Sequence, residues 1–136
     1  MIELNNLIGK QFIDGGRGPD TYDCFGLLVE IYRQYGCTIP TVNVSVYACQ
    51  AAQNEIDQHK NIEWHEIKIP VVPCAVLLSA YPGWAQHIGI YIVNNKFIHI
   101  NKQAGVCVDR LDSPQWKMKF EGFWQYDHYI DNSKSI

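Results

Sequence analysis

The hydrophobic patterning of this chain changes character once, near residue 60, and that change limits what it can fold into. Before it the texture is helical. Phe25, Leu28, Tyr32 and Tyr35 recur at helical spacing, and Leu27 and Ile31 widen the stripe, so a largely buried helix is predicted over residues 21–35. Asp20, Thr21 or Asp23 can cap its start, and Gly36 stands where it should stop. A short helix is expected over residues 5–12 and another over 46–57, with the breaker-rich run 14–20 as loop. Beyond residue 60 the runs 63–69, 75–80, 86–93, 96–100, 106–111 and 119–126 read as strands, and Asn94-Asn95 reads as a hairpin turn. Helices first and an antiparallel meander second is an α+β pattern.

A chain of 136 residues is one domain's worth, and it is taken as a single domain over 1–136 with its core over about 5–127. That length can bury a core without disulfide or metal staples. The net charge of −3 and the lack of a basic stripe argue against a nucleic-acid partner. The longest apolar stretch, 71–80, is interrupted by Pro73 and is too short to span a membrane. Residues 1–6 show neither a positive n-region nor an apolar h-region, so synthesis in the cytoplasm without a signal peptide is expected. The five cysteines are odd in number and lack CxxC spacing, which predicts reduced thiols rather than a disulfide framework. Cys37, Cys49, Cys74 and Cys107 read as small buried hydrophobes.

Cys24 stands apart from them. It follows the Gly-rich loop and falls in the first turn of the buried helix. A helix N-terminus carries partial positive charge and unpaired N–H groups, which favour a thiolate and can hold an oxyanion. By position alone a buried structural cysteine and a nucleophile are both open readings.

His87 and His99 flank the Asn94-Asn95 turn. A Cys–His couple needs an imidazole within reach of the sulfur and a third group to fix the ring. With a plain two-residue turn, His99 would oppose Ile90, and strand alternation would put His87 on the other face. Both histidines can face one site only if the hairpin holds an odd loop or a bulge. Pairing Gly89 with His99 through a three-residue loop would leave His87 diagonal to His99, at roughly 7–8 Å between β-carbons. A bulge at the Asn-Asn turn is the expectation. His59, His65 and His128 read as satisfied surface or core residues. A zinc set of Cys24, His87 and His99 is the rival reading; no second ligand pair supports it, so neither metal nor cofactor is expected.

The motifs match a family. Asp23-Cys24-Phe25-Gly26-Leu27-Leu28 resembles the nucleophile segment of NlpC/P60 peptidases, and Phe12-Ile13-Asp14-Gly15-Gly16 resembles the stretch before it. Gln86-His87-Ile88-Gly89-Ile90-Tyr91 resembles the strand that carries their catalytic histidine, and Phe97-Ile98-His99 the next strand. The resemblance covers roughly residues 8–126. A narrower one, to members found in phage and prophage tails, rests on Gly15-Gly16-Arg17-Gly18-Pro19-Asp20, Arg110-Leu111-Asp112-Ser113-Pro114-Gln115-Trp116 and Gly122-Phe123. Two departures stand out. Phe12 occupies the position of the family's Tyr, for which Tyr22 is a candidate replacement, and Pro73-Cys74-Ala75 replaces a usual Pro-Gly-Asp.

The resemblance implies a papain-like α+β fold with the Cys24 helix packed on the sheet. It implies Cys24 as nucleophile, His87 as base and His99 as orienting residue, with Phe12, Tyr22, Asp23 and Phe25 as substrate-binding or oxyanion positions. It implies hydrolysis of a peptidoglycan stem peptide, of the D-γ-glutamyl to diamino acid type, with tail-tip proteins as partners and a virion tail or the periplasm and cell wall as destination. The alternatives are a weak or inactive tail assembly protein that keeps the fold, and a cysteine amidase or acyltransferase acting on a non-wall substrate.

Overall fold

A computed structural model describes residues 4–13, 15–39, 64–81 and 84–129. The helix expected over 46–57 lies outside these residues, as do Cys49 and His59. Strands β1 (Gln11–Phe12) and β2 (Thr21–Tyr22) pair in parallel and lead into helix α1 (Cys24–Gln34). The expected helix over 5–12 reduces to a 3-10 turn at Leu4–Asn6, with Gly9 at φ 87° behind it.

Helix α1 starts later than predicted because Thr21 and Tyr22 are held extended against Gln11 and Phe12. Asp23 is therefore the cap. It is extended, at φ −103° and ψ −177°, and its carboxylate accepts the Gly26 N–H at 2.6 Å. The far end closes as a Schellman motif. Gly36, at φ 87°, donates its N–H to the Arg33 carbonyl, and Cys37 donates to the Tyr32 carbonyl, each at 2.9 Å. Leu27, Leu28, Ile31 and Tyr32 are completely buried. Each such side chain contributes about 1.5–3 kcal/mol of burial, so tertiary packing rather than propensity holds the helix.

Among the described residues six strands form the sheet: β3 (Trp64–Ile67), β4 (Cys74–Tyr81), β5 (Trp84–Val93), β6 (Lys96–Asn101), β7 (Gly105–Arg110) and β8 (Phe120–Tyr126). Their order is β3-β8-β4-β5-β6-β7 and every pairing is antiparallel. The meander prediction holds for β4 to β7. It misses the return of β8, which crosses to the other edge of β4 and carries β3 outside it. Sheet with helix makes the fold α+β. One face, with Ala75, Leu77, Ile88, Ile90, Ile98, Ile100 and Val106, shares a buried cluster with α1. The other face buries Val76, Leu78 and Phe97 beneath Tyr91, Leu111, Trp116 and Phe123. Trp116 sits on α2 (Pro114–Lys117), a single turn with Pro at its start that is too short to show a hydrophobic period.

The β5–β6 hairpin decides the site. Asn94 and Asn95 have φ of 53° and 62°, and Val93 pairs with Lys96, so the turn is a plain two-residue one of type I′. The register then slips between Tyr91 and Val93, giving Tyr91↔Phe97 and Ile90↔Ile98. Ile92 is the extra residue. Continued by one step, this register sets Gly89 opposite His99, as the shared face of the two histidines requires. The bulge expected at the turn lies one pair inside it.

Candidate active site

His99, on strand β6 between β5 and β7, has no solvent exposure. Its Nδ1 lies 2.7 Å from His87 Nε2, and its Nε2 lies 2.7 Å from the Asp109 carboxylate on β7. His87, on β5, is half-buried. The three side chains form a hydrogen-bonded line across three strands. Aromatic rings wall it in. Trp116 stacks on His87 at 6.0 Å and 21°, and meets His99 edge-on at 5.0 Å. The Phe97 ring lies 4.5 Å from His99. Phe97 also explains the glycine of the His-Ile-Gly motif, since a β-carbon on Gly89 would come within 2.6 Å of its ring.

Burial pushes the His99 imidazole down from 6.5 to about 4, helped by the neighbouring His87 and opposed by Asp109. His99 is therefore neutral at physiological pH. Cys107 faces His99 across the β6–β7 ladder, its sulfur 3.6 Å from His99 Nε2. His99, Cys107 and Asp109 bring ligand atoms within 4.8 Å of one another and are the group that could hold a cation among the described residues. It differs from the zinc set of Cys24, His87 and His99 weighed from the sequence. The His99–Asp109 hydrogen bond accounts for its closeness.

Cys24 is the first residue of α1 and is almost fully buried, in the cluster that also holds Ile88, the neighbour of His87. Its socket is built from the residues around it. Asp23 is fully buried, and its second oxygen accepts Arg17 Nη1 at 2.5 Å. Arg17 also donates to the Gly16 carbonyl at 3.1 Å and lies over the Phe25 ring, 5.6 Å from its centre. The Gly16 carbonyl passes so close to Gly26 that no side chain fits there. Asp23 and Phe25 thus anchor the loop to the helix start. Tyr22 is buried with its ring against Gly18, and burial raises its phenol. Phe12 is half-buried with the Lys102 ammonium 5.8 Å above its ring.

The other described thiols are held protonated. Burial raises Cys37, raises Cys74 to about 11, and raises Cys107 with help from Asp109. His65 pairs with Asp127 at 2.6 Å, and His128 lies edge-on to Tyr126. Sequence reasoning missed Asp109, Trp116 and Arg17. Asp109 had a signal in principle. The Asn101↔Gly105 closure sets Cys107 opposite His99 and leaves Asp109 diagonal to it, but that register is visible only once the turn is known.

Comparison with known proteins agrees with this fold. The NlpC/P60 family profile matches residues 9–125. The chain belongs to the NlpC/P60 family. It is 26% identical over 123 residues to a probable endopeptidase p60 of Listeria seeligeri, covering 90% of this chain and 21% of that protein. It is 27% identical over 128 residues to the murein DD-endopeptidase MepS/murein LD-carboxypeptidase of Escherichia coli K12, covering 88% of this chain and 61% of that one. The chain thus spans between about a fifth and three-fifths of these curated relatives. Among solved structures, the NlpC/p60 domain of the peptidoglycan hydrolase SagA superposes with a TM-score of 0.58 at 20% identity, covering 89% of this chain and 90% of that one. NlpC2 of Trichomonas vaginalis superposes with a TM-score of 0.64 at 19% identity, covering 90% and 44%. The structural likeness is one of fold.

Proposed function

We propose that this chain is a cysteine peptidase that hydrolyses an amide bond in peptidoglycan stem peptides, of the D-γ-glutamyl to diamino acid type. One observation carries the reading: His87 is hydrogen-bonded through Nε2 to a buried, neutral His99, on the strands where the family resemblance puts the base and its orienting partner. The named relatives, endopeptidases of p60 and murein type, support the substrate class.

In this reading Cys24 is the nucleophile and His87 Nδ1 is its base. The β4–β5 ladder is irregular on both sides of Ser79, next to the Leu78↔His87 pair, and such breaks re-aim side chains beside active sites. The couple requires His87 Nδ1 to reach the start of α1, and this irregular stretch is where the ladder allows the ring to be re-aimed. The thiol proton passes to His87, and the thiolate attacks the amide carbonyl. Backbone N–H groups of the first turn of α1 receive the oxyanion. The His87 imidazolium then protonates the leaving amine, and a thioester remains on Cys24. His87 next takes a proton from water, the hydroxide cleaves the thioester, and a free carboxylate and thiol are regenerated. His99 holds the His87 ring throughout. His99 is fully buried beside Phe97 and Trp116, and the low-polarity setting strengthens its hydrogen bonds.

Digestion of purified peptidoglycan followed by mass analysis tests the function. Fragments cut between D-glutamate and the diamino acid are expected with wild type and not with Cys24→Ala. Intact peptidoglycan alongside hydrolysis of an unrelated amide would favour a non-wall amidase instead.

A second reading, a tail assembly protein that keeps the fold without turnover, is favoured by Phe12, whose ring carries no hydroxyl and instead meets Lys102. The two readings share a destination. The segments that resemble tail-associated members supply Arg17, which binds Asp23, and Trp116, which stacks on His87. Delivery on a tail or tail-derived device, with tail-tip proteins as partners, follows from that resemblance. Mass spectrometry of purified tail particles should find the chain; its absence from them would remove the tail reading and leave the hydrolase.

A further inference from the structure

We infer that Asp109 is a positioning residue that fixes the proton positions on both imidazoles and so decides which nitrogen of His87 can act as base. The inference rests on His87 being that base, and it concerns a residue outside the Cys24, His87 and His99 set.

The argument is one of donors and acceptors. An ionised carboxylate only accepts hydrogen bonds, so the 2.7 Å contact requires His99 Nε2 to carry the proton. His99 is neutral, held so by burial, and therefore has only that proton. Its Nδ1 is then a lone pair, and the 2.7 Å contact to His87 is possible only if His87 Nε2 donates. His87, when neutral, is thereby left with a bare Nδ1. That is the nitrogen not engaged by His99, and the one the reaction needs to accept the thiol proton. Without Asp109, the His99 proton could sit on Nδ1 and donate to His87 Nε2. The His87 proton would move to Nδ1, and the base would be blocked. The charge works in the same direction. When His87 becomes an imidazolium, the Asp109 charge stabilises it through the polarised His99 ring. Among the described residues, the titratable groups facing His99 are His87 from β5 and Cys107 and Asp109 from β7; Phe97 beside it and Trp116 from α2 are uncharged. Cys107 cannot replace Asp109. Its thiol is a weak donor or acceptor 3.6 Å away, and burial keeps it protonated.

Long-range proton–nitrogen correlation spectra of isotope-labelled protein read the tautomers directly, with no substrate present. At neutral pH the wild type should show both His87 and His99 protonated at Nε2. Asp109→Ala should mix the tautomers of His87, and Asp109→Glu should restore the wild-type pattern in part. Cys107→Ser should leave it unchanged. In turnover, Asp109→Ala should lower kcat roughly 10- to 100-fold with KM little moved, the scale of one lost charge-assisted hydrogen bond. A merely structural hydrogen bond would not move the His87 tautomer. The inference is overturned if wild-type His87 carries its proton on Nδ1, if Asp109→Ala leaves the tautomers as they were, or if Cys107→Ser shifts them as far as Asp109→Ala does. The spectra decide even if the protein proves not to cut peptidoglycan, so failure of this inference and failure of the proposed reaction are separable.

Discussion

At the scale of single residues, the site divides into groups that move protons and groups that hold them in place. In the proposed mechanism His87 transfers protons in both half-reactions, so His87→Ala should cost on the order of 10³-fold or more in kcat, measured on a defined stem peptide. His99 only orients, so His99→Gln, which can still accept from His87, should retain more activity than His99→Ala. Burial of His99 also links stability to pH. Its folded value, about 4, lies below the ordinary 6.5, so between these two the unfolded chain binds a proton that the folded chain does not. The stabilisation is complete above 6.5 and is lost as pH falls toward 4, by at most on the order of 3 kcal/mol. Urea unfolding near each end of that window should show this loss in wild type and a smaller one in His99→Gln; equal losses would contradict it. Asp23 is structural in a different way. Asp23→Ala removes the cap of α1 and its ion pair with Arg17, so a loss of roughly 1–3 kcal/mol is expected in the same unfolding assay.

At the scale of elements, the β5–β6 hairpin shows what a sequence reading can reach. Strand alternation required an odd residue between His87 and His99 if both were to share a face, and the Ile92 bulge supplies it. The position of that bulge was not legible. A type I′ turn at Asn94-Asn95 is locally favourable, so the hairpin keeps it and takes up the extra residue among the strands instead. Deleting Ile92 should give a regular hairpin that folds but throws His87 and His99 to opposite faces. Loss of the cross-ring coupling in nuclear magnetic resonance spectra, with the sheet's circular dichroism kept, would report this. The α1 helix was legible from its apolar stripe and from Gly36. Its start was not, because the β1–β2 pairing that holds Thr21 and Tyr22 extended is a tertiary contact. Single-turn α2 was invisible for want of length, and Trp116 went unplaced with it. Gly89 was legible only as part of a motif; its reason is the Phe97 ring. Gly89→Ala should force that ring to shift at a cost of about 1–3 kcal/mol.

At the scale of the whole molecule, one sheet carries two faces with different work. The face under α1 is the core, and it holds Cys24 in the cluster with Ile88. The other face carries His87, His99 and Asp109 beneath Trp116. The fold class was readable from the order of helical and strand periodicities. The return of β8 beside β4 was not, because nothing local in residues 119–126 encodes which edge it joins. In the proposed reaction the two faces meet at Cys24 and His87, and this junction can be probed without substrate. The measurement is alkylation by iodoacetamide at neutral pH, mapped peptide by peptide. On exposure alone Cys107, which is half-buried, should react before Cys24, which is almost fully buried. An activated thiolate reverses that order. The expected result is that Cys24 labels fastest of the five cysteines in wild type and falls to the level of the others in His87→Ala. Labelling of Cys24 no faster than Cys37 or Cys107, or unchanged by His87→Ala, would contradict a Cys24–His87 couple.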